Sequence, residues 1–159
     1  MYNRAEPNQY IMTEIEVFDE KKLPDEKVMK EIVDFLFEHL EQYGDPKKDI
    51  RKCLDYALQI SDSFGGYALT SRIDGEMVGA VLVNNTGMGG YIPEHILVYI
   101  ATHNEHRGKG IGKKLMEKTI EIADGDMKLH VEHDNPARFL YEKYGFTSKY
   151  LEMRYKKNK

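Results

Sequence analysis

Residues 96–101 read Ile-Leu-Val-Tyr-Ile-Ala, an apolar run of strand length. Such a run suits a central strand covered on both faces. It leads directly into Thr102-His103-Asn104-Glu105-His106-Arg107-Gly108-Lys109-Gly110-Ile111-Gly112-Lys113-Lys114-Leu115, where three glycines stand at every second position. From Ile111 to about Ala123, Ile111, Leu115 and Ile122 form one apolar row and Met116, Ile120 and Ala123 the next. That spacing predicts a helix, closed by Gly125. Met127 to Val131 predicts a short strand. A helix linking two strands in this way is expected to be a right-handed crossover.

The remaining segments fill in an α/β domain with a mixed sheet flanked by helices, in the order β-α-α-β-β-β-α-β-α-β. Residues 11–18 alternate towards their end and predict a strand. Leu23-Pro24-Asp25-Glu26 opens a helix with proline and acids in its first turn, and Val28, Ile32, Leu36 and Leu40 form its stripe. Gly44-Asp45-Pro46 stops it. Ile50, Leu54, Ala57 and Leu58 mark a second helix. Tyr67 to Ile73 and Met77 to Val83 predict strands joined at Asp74-Gly75, a tight-hairpin signal. Asn135 to Tyr144 predicts a helix ended by Gly145. Phe146 to about Tyr155 predicts a last strand.

With 159 residues, 41% apolar and 31% charged, the chain suits one globular domain over 1–159. A net charge of −4 argues against a general nucleic-acid binder. No run approaches the ~20 apolar residues that span a bilayer, so no membrane contact is expected. Residues 1–8 lack the apolar core of a signal peptide, and the cytoplasm is the expected compartment. Cys53, the single cysteine, excludes an intramolecular disulfide and a cysteine-based zinc site. It reads as a packed, inert thiol.

The glycine segment carries the chemistry. Helix N-termini leave amide N–H groups unpaired and partially positive. Arg107, Lys109, Lys113 and Lys114 add full charges, so the segment suits a phosphate or pyrophosphate. It is not a P-loop: Arg stands at 107 where glycine is needed, and Lys114 takes the Ser/Thr place. Nor is it a dinucleotide fingerprint, since Lys113 replaces the third glycine.

Arg107-Gly108-Lys109-Gly110-Ile111-Gly112 fits the Arg/Gln-x-x-Gly-x-Gly/Ala pattern, and Asn135-Pro136-Ala137-Arg138-Phe139-Leu140-Tyr141-Glu142-Lys143-Tyr144-Gly145-Phe146 follows with a strand between. In these paired motifs, over about residues 66–155, the sequence resembles the GNAT superfamily of acyl-CoA-dependent N-acyltransferases. The resemblance implies acetyl-CoA as cosubstrate, lying where strand 96–102 splays from strand 127–131. It implies that backbone groups of Ile100, Ala101 and Thr102 bind the pantetheine arm. Amides of Arg107, Gly108, Lys109, Gly110, Ile111, Gly112 and Lys113 would hold the pyrophosphate. Asn135 would bind pantetheine or neighbouring backbone, and Tyr141 would give a proton to the departing thiolate. After Gly145-Phe146 the family has two strands, whereas the tail here has room and pattern for one.

A phenol is protonated at neutral pH and can serve as acid to a thiolate, so direct attack by an amine needs no covalent intermediate. The base is left open among Glu94, His95, His133 and a water relay. Glu94 and His95 read as a solvated strand start, and His103 and His106 as surface residues. His103, Glu105 and His106 sit in a loop given over to backbone anion binding, so no metal is expected. The acceptor is a small-molecule or peptide amine, and a homodimer is one assembly the family allows. The alternative of another class is a non-catalytic acyl-CoA-binding regulatory module. Residues 103–118 carry five Lys/Arg against two Glu, a local +3, whereas residues 1–50 carry seven against thirteen Asp/Glu, a local −6. This polarity favours a cationic acceptor.

Overall fold

A computed structural model describes residues 13–158. Its sheet has the order β1-β2-β3-β4-β5. The strands are β1 (Glu14–Phe18), β2 (Gly66–Ile73), β3 (Glu76–Asn85), β4 (His95–Thr102) and β5 (Met127–Leu129). Every pairing is antiparallel except β4 with β5, which is parallel. The sheet is mixed because α3 (Ile111–Ile122) connects β4 to β5 as the crossover. Residues 11 and 12 of the expected first strand lie outside the described residues.

Helices α1 (Glu26–His39) and α2 (Lys47–Ala57) cover one face. Asp25 caps α1 by accepting the Val28 amide at 2.8 Å. Ile32, Leu36, Ile50 and Leu54 are fully buried there against Ala80, Leu82 and Tyr99. Burial on this scale contributes about 1.5–3 kcal/mol per large side chain. The other face carries α3 and the short α4 (Ala137–Lys143), with Ile111, Leu115 and Tyr141 packed on Val78, Val81 and Leu97. Gly79 permits the close approach of α3, since a Cβ there would lie 2.5 Å from the Leu115 Cδ1. The Asp74-Gly75 turn has φ values of 49° and 81°, the left-handed pair that a tight hairpin needs.

The most buried strand is β3, with Met77 to Val83 all buried, rather than β4. In β4 every second residue is half-exposed. The strand also carries a bulge. Leu82 pairs with Tyr99 and Val83 with Leu97, so Val98 is an extra residue. Val98 and Tyr99 consequently both join the cluster under α1 and α2, while Leu97 and Ile100 join the one under α3. Pairing with β5 stops at Leu97. The bulge bends β4 away, which shortens β5 from the expected 127–131 to three residues.

The expected strand from Phe146 to Tyr155 does not form. Phe146 packs edge-on to Tyr141, with ring centroids 6.1 Å apart. Beyond it the tail is irregular, and Tyr150, Leu151, Met153 and Tyr155 are 79–90% exposed. Alternation supplies a pattern but not a partner, and the three-residue β5 offers too little edge for a ten-residue strand. The helix expected over 135–144 begins later, at Ala137, because Asn135 and Pro136 form its cap.

Candidate active site

Among the described residues, no strand lies beside β4 on the β5 side from Val98 to Thr102. The His103 amide donates to the Val78 carbonyl at 2.8 Å. Strand alternation then turns the backbone groups of Ala101 towards β3 and those of Ile100 and Thr102 towards the gap. Of the three residues expected to offer backbone to a ligand, Ala101 is therefore engaged inside the sheet. Ile100 and Thr102 present the open edge.

That edge runs directly into the glycine loop. Gly108 and Gly110 have φ near 80°, and no heavy atom lies within 4 Å of where either Cβ would stand. Glycine is needed here for the backbone conformation, and the space before it is open. Gly110 precedes α3 without any side-chain cap, and the first turn holds no acid. The amides of Ile111, Gly112 and Lys113 have no partner within the helix. A Cβ on Gly112 would meet Thr102 Oγ1 at 3.4 Å and Leu140 Cδ2 at 3.6 Å, so the end of β4, the start of α3 and α4 converge at this point.

The side chains around the loop divide their work. The Arg107 guanidinium turns back to α1, donating to the His39 carbonyl at 3.0 Å and lying 3.4 Å from Glu41. Lys113 and Lys114 are exposed beside the free amides. Lys109 Nζ lies 3.3 Å from His106 Nδ1. His103 is half-buried rather than at the surface, stacked on His39 with centroids 4.2 Å apart. The Asn104 amide donates to His39 Nδ1 and the Glu105 amide to His103 Nδ1. Both rings accept through Nδ1. Burial, followed by the neighbouring His103, pushes the His39 pKa down. Among the described residues no three His, Cys, Asp or Glu stand together as metal ligands.

Tyr141 projects from α4 into the core under α3 and is 9% exposed. Burial raises its phenol to about 12. Asn135 spends its Oδ1 on the Ala137 amide at 2.9 Å, so it binds neighbouring backbone and starts α4. Tyr144 reaches across to α3, donating to Glu117 at 2.9 Å.

The candidate bases part company. Glu94 accepts the Asp126 amide, and its own amide first and then that of Asp126 hold its carboxyl below the usual range. His95 is 5% exposed, not solvated, with its nitrogens 2.8 Å from Asn85 Oδ1 and from Asp124 Oδ1. Both are tied into the end of the sheet away from the glycine loop. His133 is exposed in the β5–α4 connection. Cys53 is buried, and burial pushes its thiol up to about 12.

Two features beside the gap carry no sequence motif. The Tyr99 hydroxyl donates to Asp45 Oδ2 at 2.6 Å, and the Tyr43 hydroxyl donates to the Asp134 carbonyl at 3.2 Å. In sequence, Gly44-Asp45-Pro46 reads only as a helix stop, and Tyr99 as one apolar residue of a strand.

Residues 66–148 match the family described as "Acetyltransferase (GNAT) domain". The chain therefore belongs to the GNAT acetyltransferase family, the class that the fold and the glycine loop define. A ribosomal-protein-alanine N-acetyltransferase from Brucella melitensis biovar Abortus 2308 shares 19% identity at a TM-score of 0.65, covering 91% of this chain and 99% of its own. An aminoglycoside acetyltransferase from an uncultured soil metagenomic sample shares 20% at 0.65, covering 92% and 99%. A transcriptional regulator from Bacillus halodurans C-125 shares 18% at 0.63, covering 90% and 99%. At these identities the likeness is one of fold. No curated protein sequence matches the chain. No helix among the described residues is long and apolar enough to cross a membrane.

Proposed function

We propose that the chain, as one transferase domain, moves an acetyl group from acetyl-CoA to an amine by direct attack in a ternary complex. The observation that carries this is the unpaired edge of β4 running without interruption into uncapped helix amides. The edge fits an extended amide-bearing arm, and the amides fit the polyphosphate that ends such an arm. Ile100 and Thr102 orient the arm through backbone groups. The Gly108–Lys113 amides, aided by Lys113 and Lys114, hold the phosphates. Asn135 acts indirectly by fixing the start of α4.

Tyr141 supplies the proton. Its raised pKa keeps the phenol neutral at rest. A neutral phenol can give its proton to a departing thiolate, and the hydrogen bond strengthens as charge develops on sulfur. The new N–C bond forms as C–S breaks, sulfur takes the Tyr141 proton, the amine's surplus proton leaves to water, and water returns a proton to Tyr141. Glu94 and His95 are committed to structural bonds, which supports a water relay over either as base.

Thermal unfolding with separate ligands tests the cosubstrate. Acetyl-CoA at a hundred times its Kd is expected to stabilise the fold by about 2.7 kcal/mol, with ATP and NAD giving far less. Equal stabilisation by ATP would point to a general nucleotide-phosphate binder.

A further inference from the structure

We infer that His39 is a positioning residue for the cosubstrate: its neutral ring and its carbonyl hold the start of the glycine loop, so that acid loosens the grip on the phosphates. This rests on the acetyl-transfer reading and adds a control on its phosphate end. His39 is the last residue of α1 and is 4% exposed, yet no step of the proposed reaction uses it. It holds the chain at two points. Its Nδ1 accepts the Asn104 amide at 3.3 Å, and its carbonyl accepts the Arg107 guanidinium at 3.0 Å. The two contacts span the turn 104–106, and Arg107 directly precedes Gly108. The His106 amide closes that turn on the His103 carbonyl at 2.9 Å. The His39 ring packs against Phe35 and His103, with centroids 4.5 and 4.2 Å away. A rigid helix end thus carries the start of the loop whose amides meet the phosphates.

A ring nitrogen that accepts a hydrogen bond carries no proton. Protonating His39 turns that acceptor into a donor facing the Asn104 N–H, and the tether breaks. The surroundings set when this happens. Burial, then His103 and Arg107, push the His39 pKa below 6.5, against Glu38 and Glu41. Glu38 lies 3.8 Å from His39 Nε2 but is largely in water, so its pull is screened. The carbonyl end of α1 also favours the charge, though less than burial opposes it. Beyond His103, Glu76 of β3 lies 3.5 Å from its Nε2, and His106 stacks on its other side beside Lys109. At neutral pH the ring is uncharged and the loop is held. Below the folded pKa the loop is freed, and only the fraction with neutral His39 is competent to bind.

Calorimetric titration with 3′-dephospho-CoA from pH 7.5 to 4.5 tests this apart from turnover, with circular dichroism confirming the fold at each pH. The dephosphorylated ligand lacks the phosphate monoester, which would itself titrate near about pH 6. The wild-type Kd is expected to be level at the neutral end and to rise with acid, approaching about tenfold per pH unit as the competent fraction falls. His39→Asn keeps an acceptor near the Nδ1 position but does not titrate. It is expected to bind within about threefold of wild type at pH 7.5 and to lose the acid dependence. His39→Ala is expected to bind about 10-fold more weakly already at pH 7.5, from loss of one hydrogen bond. A wild-type affinity that is flat with pH, or an equal fall in His39→Asn, overturns the inference and leaves the acetyl-transfer reading standing. Failure of the wild type to bind either acetyl-CoA or 3′-dephospho-CoA at pH 7.5 would instead refute the transfer reading, and this inference with it.

Discussion

At the scale of single residues, Tyr141 bears the chemical burden of the proposal. Its position was legible only through the motif around it, since Tyr141 is one of eleven tyrosines. The fold adds what the motif could not: burial in the α3–α4 core and a phenol raised by desolvation. Tyr141→Phe keeps the ring and its edge-on contact with Phe146, so the fold is expected to survive. Turnover is expected to fall on the order of 10²-fold with the KM for acetyl-CoA unchanged, read from steady-state rates. An unaltered kcat would remove the acid role. Asp45 and Tyr99 were illegible for the opposite reason. They lie 54 positions apart and meet only because a one-residue bulge rotates Tyr99 onto the α1–α2 face.

At the scale of elements, β4, the glycine loop and α3 form one continuous device, and most of it could be read from the sequence. Apolar run, glycine spacing and helical rows are local patterns, and each specifies its own element. The bulge is not local, because it depends on how β3 and β4 align. The apolar run of β4 points to that strand as the buried centre, whereas β3 is the more buried strand. The absent last strand shows the same limit, since alternation over Leu151, Met153 and Tyr155 needs an edge to pair with. The loop itself makes a sharp test. Gly110→Ala places a side chain in left-handed backbone, costing about 1–2 kcal/mol, and puts a Cβ into the open space before the amides. Separately from that folding cost, losing about one amide–phosphate hydrogen bond is expected to raise the acetyl-CoA Kd about 10-fold by calorimetry. Unchanged affinity would place the phosphates elsewhere.

At the scale of the whole molecule, the proposed function assigns the cosubstrate to the α3–α4 face, which carries Tyr141, while α1 and α2 close the other face. A pH dependence of stability follows from buried groups on both. Burial raises Cys53 from 9.0 and Tyr141 from 10.0 to about 12, and raises Tyr67 and Tyr99 further. A raised folded pKa gives stability that is complete below the unfolded value and is lost as pH climbs through the folded one. His39 is depressed from 6.5, so its contribution is present above that pH and is lost as pH falls below it. A Tm plateau between about pH 7 and 9 is expected by scanning calorimetry, with a decline on each side. A Tm still rising at pH 11 would contradict these burials.

The central claim is that a chain with this open strand edge and uncapped loop transfers acetyl groups from acetyl-CoA to amines. Release of free CoA thiol, followed while acetyl-CoA and each amine of a panel are varied together, tests it most directly. The panel should span amino acids, diamines, aminoglycosides and peptide N-termini. The expected result is amine-dependent release with intersecting double-reciprocal lines, the signature of a ternary complex. Tight binding of acetyl-CoA with no amine-dependent release from any member of the panel would contradict it, and would favour a non-catalytic acyl-CoA-binding regulatory module.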